Sequence, residues 1–291
     1  MKSMLYLVLL ASASLALGLN QLAFSGGGAF GAVEVGIVKK VNEIDPKNYD
    51  LYTGISAGGI LTGFLSYYSD LTEGIKIAEG LITNLRNREV YEIHPSTGVS
   101  ILNTAPLNNT LTKILSQMKN EPAVKTLIGT TNLYTGELDI YDFKEIDMVD
   151  RPTLLLCTSA IPVVFPPVTY NGYQYADGGT LDNSLLSIVH DAEYLNITFI
   201  TPFDGYLTDT TPIKTVEDYI KRTAVIVANN FDADLSKMYQ GCDWSEAIGQ
   251  VTKYYIDASL LDNYSMLNFD KGDELVQLGY NNVKSMIYKI C

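Results

Sequence analysis

The sequence predicts an α/β protein, and three short glycine-bearing segments carry that prediction. Ser25-Gly26-Gly27-Gly28-Ala29-Phe30-Gly31 follows the apolar run Gln21 to Phe24 and leads into a helical pattern. Gly54-Ile55-Ser56-Ala57-Gly58 follows Tyr49 to Thr53 and opens a second helical pattern. Asp177-Gly178-Gly179 follows Tyr170 to Ala176, a strand or hairpin arm. Each is a turn placed where a strand gives way to the next element, which is the grammar of a sheet with helices packed on it.

The elements follow in order. Lys2 and the apolar stretch Met4 to Leu17, with Ala16 and Gly18 as small residues, predict a secretory signal peptide over residues 1–18. The stretch is short for a membrane span, and a buried N-terminal strand is the alternative reading. Val33, Ile37, Val38 and Val41 fall at helical spacing, so Ala32 to Val41 is expected to be helical. The helix after Ser56 is rich in small residues, Ala57, Gly58, Gly59 and Gly63, which permit close approach to the sheet. Helices are predicted over 71–88 and 107–119, the second capped by Asn108 or Asn109, with 91–106 as a surface loop and candidate lid. Thr126 to Leu133 and Leu138 to Phe143 alternate as strands around Thr135-Gly136. Arg151 to Ile161 predicts a helix that starts at Asp150-Arg151-Pro152 and stops at Pro162. A strand at 194–201 is followed by helices over about 215–262 and a last helical pattern over 275–290.

No Pro/Gly/Ser-rich linker or internal repeat divides the chain. Residues 19–291 therefore read as one domain, with a motif-bearing core at about 20–200 and a helical part at about 201–291. Hydrophobic residues make up 47% and charged residues 18% of the 291, a balance that fits an ordered globular protein. A formal net charge of −13 argues against nucleic acid and strongly anionic membranes as partners. Substrates with neutral or zwitterionic head groups fit better.

The chemistry sits in the three glycine segments. A G-x-S-x-G turn between strand and helix lifts Ser56 clear of the sheet edge at the positive end of the following helix. The triple glycine leaves backbone N–H groups uncovered at a helix start, a ready anion site, one candidate anion being the oxyanion of a tetrahedral intermediate. The glycines after Asp177 leave its carboxylate unobstructed.

These segments, in this order and with Thr158-Ser159-Ala160-Ile161-Pro162-Val163-Val164-Phe165-Pro166-Pro167 running toward Asp177, resemble the patatin-like phospholipase family over residues 20–200. The resemblance implies a three-layer α/β/α fold with a central, mostly parallel sheet. It implies Ser56 as nucleophile, Asp177 as its base, and Gly26, Gly27 and Gly28 as the oxyanion loop, with Gly31, Gly54, Gly58, Gly178 and Gly179 supporting the motifs. The implied activity is hydrolysis of fatty-acyl esters at a membrane or micelle surface, with no cofactor and no metal. Acyl transfer to another acceptor or a neutral-lipid lipase would use the same dyad, and a silent lipid-binding or storage protein would keep the fold. Two positions depart from the family pattern: Phe30 stands where Arg or Lys is frequent, and Asn183 is followed by Ser184 and Leu185 rather than by x-Pro.

The remaining features carry weaker expectations. Gly26-x-Gly28-x-x-Gly31 also fits a dinucleotide fingerprint, which would require an acidic residue where this chain has Gly54-Ile55-Ser56. His94 and His190 are the histidines, and the order Ser56, Asp177, His190 matches that of α/β-hydrolases. His190 is expected on a helix over Leu185 to Ala192, with nothing to aim it at Ser56. Cys157 is expected in the core, whereas Cys242 and Cys291 could pair. The N-x-S/T sites at Asn108, Asn196 and Asn263 suit a secreted or lumenal protein, Asn196 least because it enters an apolar strand. Tyr254, Tyr255 and Tyr264 could line an acyl pocket or simply pack.

Overall fold

The computed structural model describes residues 19–93, 98–186, 194–204, 212–215, 219, 222 and 249–290. Among them, nine strands join in one mixed sheet, with helices packed against it. The strands are β1 (Leu19–Phe24), β2 (Leu51–Gly54), β3 (Lys125–Asn132), β4 (Leu138–Asp142), β5 (Val168–Tyr170), β6 (Tyr173–Asp177), β7 (Tyr194–Asp204), β8 (Gly249–Asp257) and β9 (Lys284–Ile290). The helices are α1 (Gly31–Ile44), α2 (Ser56–Leu65), α3 (Leu71–Asn84), α4 (Asn87–Val90), α5 (Ala105–Leu115), α6 (Arg151–Thr158) and α7 (Gly272–Asn281).

Strands β3, β2, β1, β7 and β8 run parallel and form the centre, while β4, β5, β6 and β9 add antiparallel pairings at the flanks. All four residues of β2 and the last four of β1 are buried, as parallel strands covered on both faces must be. Leu22 and Phe24 point into the large core beneath α1, α2, α3 and α7. Ala23 points the other way, into a cluster with Leu186, Ile197, Phe199 and Val251. A mostly parallel sheet with apolar clusters on both faces and flanking helices is consistent with the expected α/β/α arrangement.

Local chemistry explains the helix ends. Asp70 accepts the Thr72 N–H at 2.9 Å and starts α3. Helix α5 begins at Ala105, two residues before the predicted start: Asn103 Oδ1 accepts the Ala105 N–H and Pro106 lies in the first turn. Pro152 does the same for α6.

The predicted helical character of the C-terminal part needs correction. Residues 249–257 and 284–290 are strands that pair with each other along their length. Val251, Thr252, Tyr254, Tyr255 and Ile256 are β-branched or aromatic, and a short apolar run in a covered strand has no period that separates it from a buried helix. Only the first half of the predicted 275–290 helix exists, as α7. Residues 223–248 of the predicted 215–262 helices lie outside the described residues. So do the signal peptide, His94, His190, Cys242 and Cys291, and nearly all of the helix predicted over 185–192.

Candidate active site

The register of β3 brings the two motif side chains together. Strand β2 runs parallel to β3 and ends with Gly54 opposite Ile128. Strand β6 runs antiparallel to β3 and ends with Asp177 opposite Thr130. Because β4 occupies the other edge of β3 over Leu127–Thr131, β2 and β6 share one edge and run head-on toward each other. Their ends stand two β3 residues apart, roughly 7 Å.

Between those ends the chain turns sharply. Ile55 is extended, with φ −125° and ψ 142°, and Ser56 has φ +54°, a conformation that non-glycine residues adopt at a cost of order 1–3 kcal/mol. The strain throws the Ser56 side chain toward β6, where its Oγ donates to Asp177 Oδ2 at 2.6 Å. A Cβ at Gly58 would fall 2.3 Å from the Ser25 carbonyl oxygen and 2.7 Å from Phe24 Cβ, so the turn closes only with glycine there. Gly54 and Gly178 are similarly hemmed in by the Gly58 and Gly129 carbonyls.

Neutral hydrogen bonds hold the pair in register. Thr158 Oγ1 accepts the Ser56 N–H at 2.9 Å and donates to the Gly129 carbonyl at 2.7 Å. The Asp177 N–H reaches the Ala160 carbonyl at 2.8 Å, and Thr131 Oγ1 donates to the Asp177 carbonyl at 2.9 Å. The second carboxylate oxygen, Oδ1, accepts the Gly179 N–H at 2.8 Å. Asp177 is buried, and loss of water pushes its carboxyl up to about 7, against the opposing pull of the Ser56 and Gly179 hydrogen bonds. A carboxylate with that pKa, in hydrogen-bond reach of a serine hydroxyl, can act as a base near neutral pH.

The glycine loop lies directly against this pair: a Cβ at Gly26 would sit 2.9 Å from Ser56 Cβ. Its three candidate donors are not equivalent. The Gly26 N–H is already engaged by Asn183, whose Oδ1 accepts it at 3.0 Å while Asn183 Nδ2 donates back to the Gly26 carbonyl at 3.2 Å. The Gly27 and Gly28 N–H groups have no hydrogen-bond partner among the described residues. Of the three glycines expected to serve an oxyanion, Gly27 and Gly28 keep open N–H groups among the described residues, and Gly26 does not. Gly28 has φ +57°, and a Cβ there would meet the Met266 carbonyl oxygen at 2.4 Å. That same carbonyl accepts the Ala29 N–H at 2.7 Å and anchors the end of the loop. Ala57 follows Ser56 in the first turn of α2, where backbone N–H groups lack intrahelical acceptors.

Several residues that shape the site were invisible as such in the sequence. Thr158 and Asn183 are common polar residues whose roles arise only from contacts across more than 100 positions. Glu34, one turn into α1, is buried behind the loop; its Oε1 accepts from Ser25 Oγ at 3.2 Å and its Oε2 has no partner among the described residues. Burial raises its carboxyl well above the usual range, which favours a neutral acid there. Phe30 is buried and meets Phe203 edge-on, centroids 6.3 Å apart, so its side chain serves the core. Tyr254 and Tyr255 belong to β8, Tyr255 under the Lys253 ammonium, and the Tyr264 hydroxyl donates to Glu274; all three pack. Cys157 is buried, and its thiol is pushed well up. Asn108, Asn196 and Asn263 are all exposed, so burial does not single out Asn196.

A strained serine after a parallel strand, a buried carboxylate and open loop amides form the kind of site used for acyl hydrolysis. The family model for patatin-like phospholipase matches residues 22–190, and the chain belongs to that family of lipid acyl hydrolases. It is 24% identical over 301 aligned residues to uncharacterized protein R571 of Acanthamoeba polyphaga mimivirus, covering 94% of this chain and 95% of that one. Among solved structures it is similar to VipD from Legionella pneumophila, with 16% identity and a TM-score of 0.42 over 92% of this chain and 68% of that chain.

Proposed function

We propose that this protein hydrolyses fatty-acyl esters of lipids through a Ser56–Asp177 dyad. The observation that carries the reading is the 2.6 Å hydrogen bond from Ser56 Oγ to a carboxylate that burial has made basic. Asp177 takes the hydroxyl proton as Ser56 Oγ attacks the ester carbonyl, and the proton then passes to the departing alcohol. The developing oxyanion is met by the Gly27 and Gly28 N–H groups. Water, deprotonated by the same carboxylate, attacks the acyl-enzyme; fatty acid leaves and Ser56 regains its proton. No imidazole is needed in this cycle.

The test is hydrolysis by the purified protein of a panel of phospholipids, lysophospholipids, galactolipids and glycerides, with Ser56→Ala and Asp177→Asn as controls. Both variants lose activity under this reading while His190→Ala retains it. A folded His190→Ala protein without activity would replace the dyad by a triad. On the composition of residues 1–18 we also propose that the protein is secreted or lumenal. N-terminal sequencing of the exported protein tests this, with a start at Leu19 expected and an intact Met1 contradicting it.

A further inference from the structure

Strand β3 and the β5–β6 hairpin carry on past the site. The Leu133 N–H donates to the Gln174 carbonyl at 2.9 Å, extending the β3–β6 ladder beyond Asn132, and the Tyr134 and Tyr173 rings meet edge-on with centroids 5.9 Å apart. These three side chains remain open to solvent, at 49% for Leu133, 64% for Tyr134 and 45% for Tyr173. Single exposed apolar residues are ordinary, but two exposed tyrosines in ring contact, with an exposed leucine beside one of them in the chain, are not.

The tip is also held rigid. Asn132 Oδ1 accepts the N–H groups of Tyr134 and Thr135 at 2.9 and 3.3 Å, and the Asn132 carbonyl accepts that of Gly136, whose φ is +73°. The Asn132 side-chain amide is fixed in turn by Asp139 at 2.9 Å, which also accepts from the Tyr175 hydroxyl at 3.0 Å. These bonds fix the backbone of the turn that carries Tyr134.

We infer that Leu133, Tyr134 and Tyr173 form an interfacial anchor that seats this protein on the surface of a zwitterionic phospholipid membrane. The choice of occupant rests on the lipid-hydrolase reading above, and three physical arguments support it. Tyrosine is amphipathic and favours the boundary between head groups and acyl chains. Neither turn, 133–137 or 171–172, contains Lys or Arg, and the chain's net charge of −13 repels an anionic surface, which leaves an uncharged or zwitterionic one. Position fits as well: Tyr173 is four strand residues from Asp177, roughly 13 Å, at the end of the sheet where Ser56 emerges. That offset is below the roughly 15 Å hydrocarbon depth of one leaflet, so a lipid raised to Ser56 keeps its chain ends in the membrane.

The experiment is flotation with phosphatidylcholine vesicles, in a Ser56→Ala background so that the lipid stays intact. Tyr134→Ser with Tyr173→Ser is expected to weaken binding by about tenfold. Tyr134→Trp is expected to preserve binding, and the emission it adds should shift to the blue on vesicles. In the Ser56-containing protein the same double change lowers the ratio of vesicle to soluble-ester turnover by about tenfold. Vesicle binding unaffected by the double change overturns the proposal, as does failure of the parent protein to bind. So does loss, on the double change, of a dimer detected by sedimentation, which would make the tip a contact between copies. Tyrosine-dependent binding by a protein that cleaves no ester would sink the hydrolase reading and leave the anchor standing. Ester hydrolysis with tyrosine-independent binding would do the reverse.

Discussion

Replacing Asp177 by Asn should inactivate the protein and stabilise it, by an amount that grows with pH. The buried carboxyl is raised from an ordinary 3.8 to about 7, chiefly by desolvation, so the folded state holds its proton more tightly than the unfolded state. Between those two values, rising pH costs the wild type stability, because the unfolded chain ionises first. Each unit of difference corresponds to about 1.4 kcal/mol. The wild type should therefore be handicapped by roughly 2 kcal/mol at pH 5 and roughly 4 kcal/mol at pH 8.5, a handicap that a neutral amide escapes. Asparagine keeps the geometry: its oxygen can still accept from Gly179 and its amide can donate to Ser56. Urea unfolding followed by circular dichroism at pH 5, 7 and 8.5 measures the gap. A variant less stable than wild type at pH 8.5, or a gap that does not widen with pH, would refute the desolvation argument.

Three further outcomes follow from the same geometry. The kcat/KM for a soluble ester should rise with pH and level off above about 7, since Asp177 must be ionised to accept the Ser56 proton; a flat profile between pH 5 and 8 would exclude it as the base. Asn183→Ala should lower kcat by about 10- to 100-fold with a smaller change in KM, because the glycine loop loses the side chain that fixes Gly26, and an equal fall with Asn183→Gln is not expected. Gly58→Ala should destabilise the fold by about 3 kcal/mol or more in thermal unfolding, since the new methyl meets Ser25 O at 2.3 Å and Phe24 Cβ at 2.7 Å; a change below about 1 kcal/mol would show that the turn can relax.

The sequence was informative where a local rule leaves few options. A serine flanked by glycines after an apolar run dictates a tight strand-to-helix turn, and Ser56 adopts it with φ +54°. The Pro152 and Gly136 signals likewise placed a helix start and a turn. What the sequence hid depends on register between distant strands. That β2 and β6 approach each other along one edge of β3 follows from which β3 residues each one pairs with, a fact no spacing of motifs contains. Asn183 stands out in the sequence only as a departure from a family pattern, yet its two side-chain hydrogen bonds to Gly26 separate the engaged loop donor from the open ones. The strand at 249–257 is hard to read because covered strands lose the alternation that marks exposed ones, whereas 284–290 is a mostly exposed edge strand whose pairing with β8 no local period announces.

The most direct measurement is to treat the purified protein with a lipophilic fluorophosphonate and locate the adduct by peptide mass spectrometry. A single adduct on Ser56, absent from Ser56→Ala and formed far more slowly by Asp177→Asn, is the predicted result. Ester hydrolysis that persists in Ser56→Ala, or an adduct on a different serine that tracks loss of activity, would contradict the account.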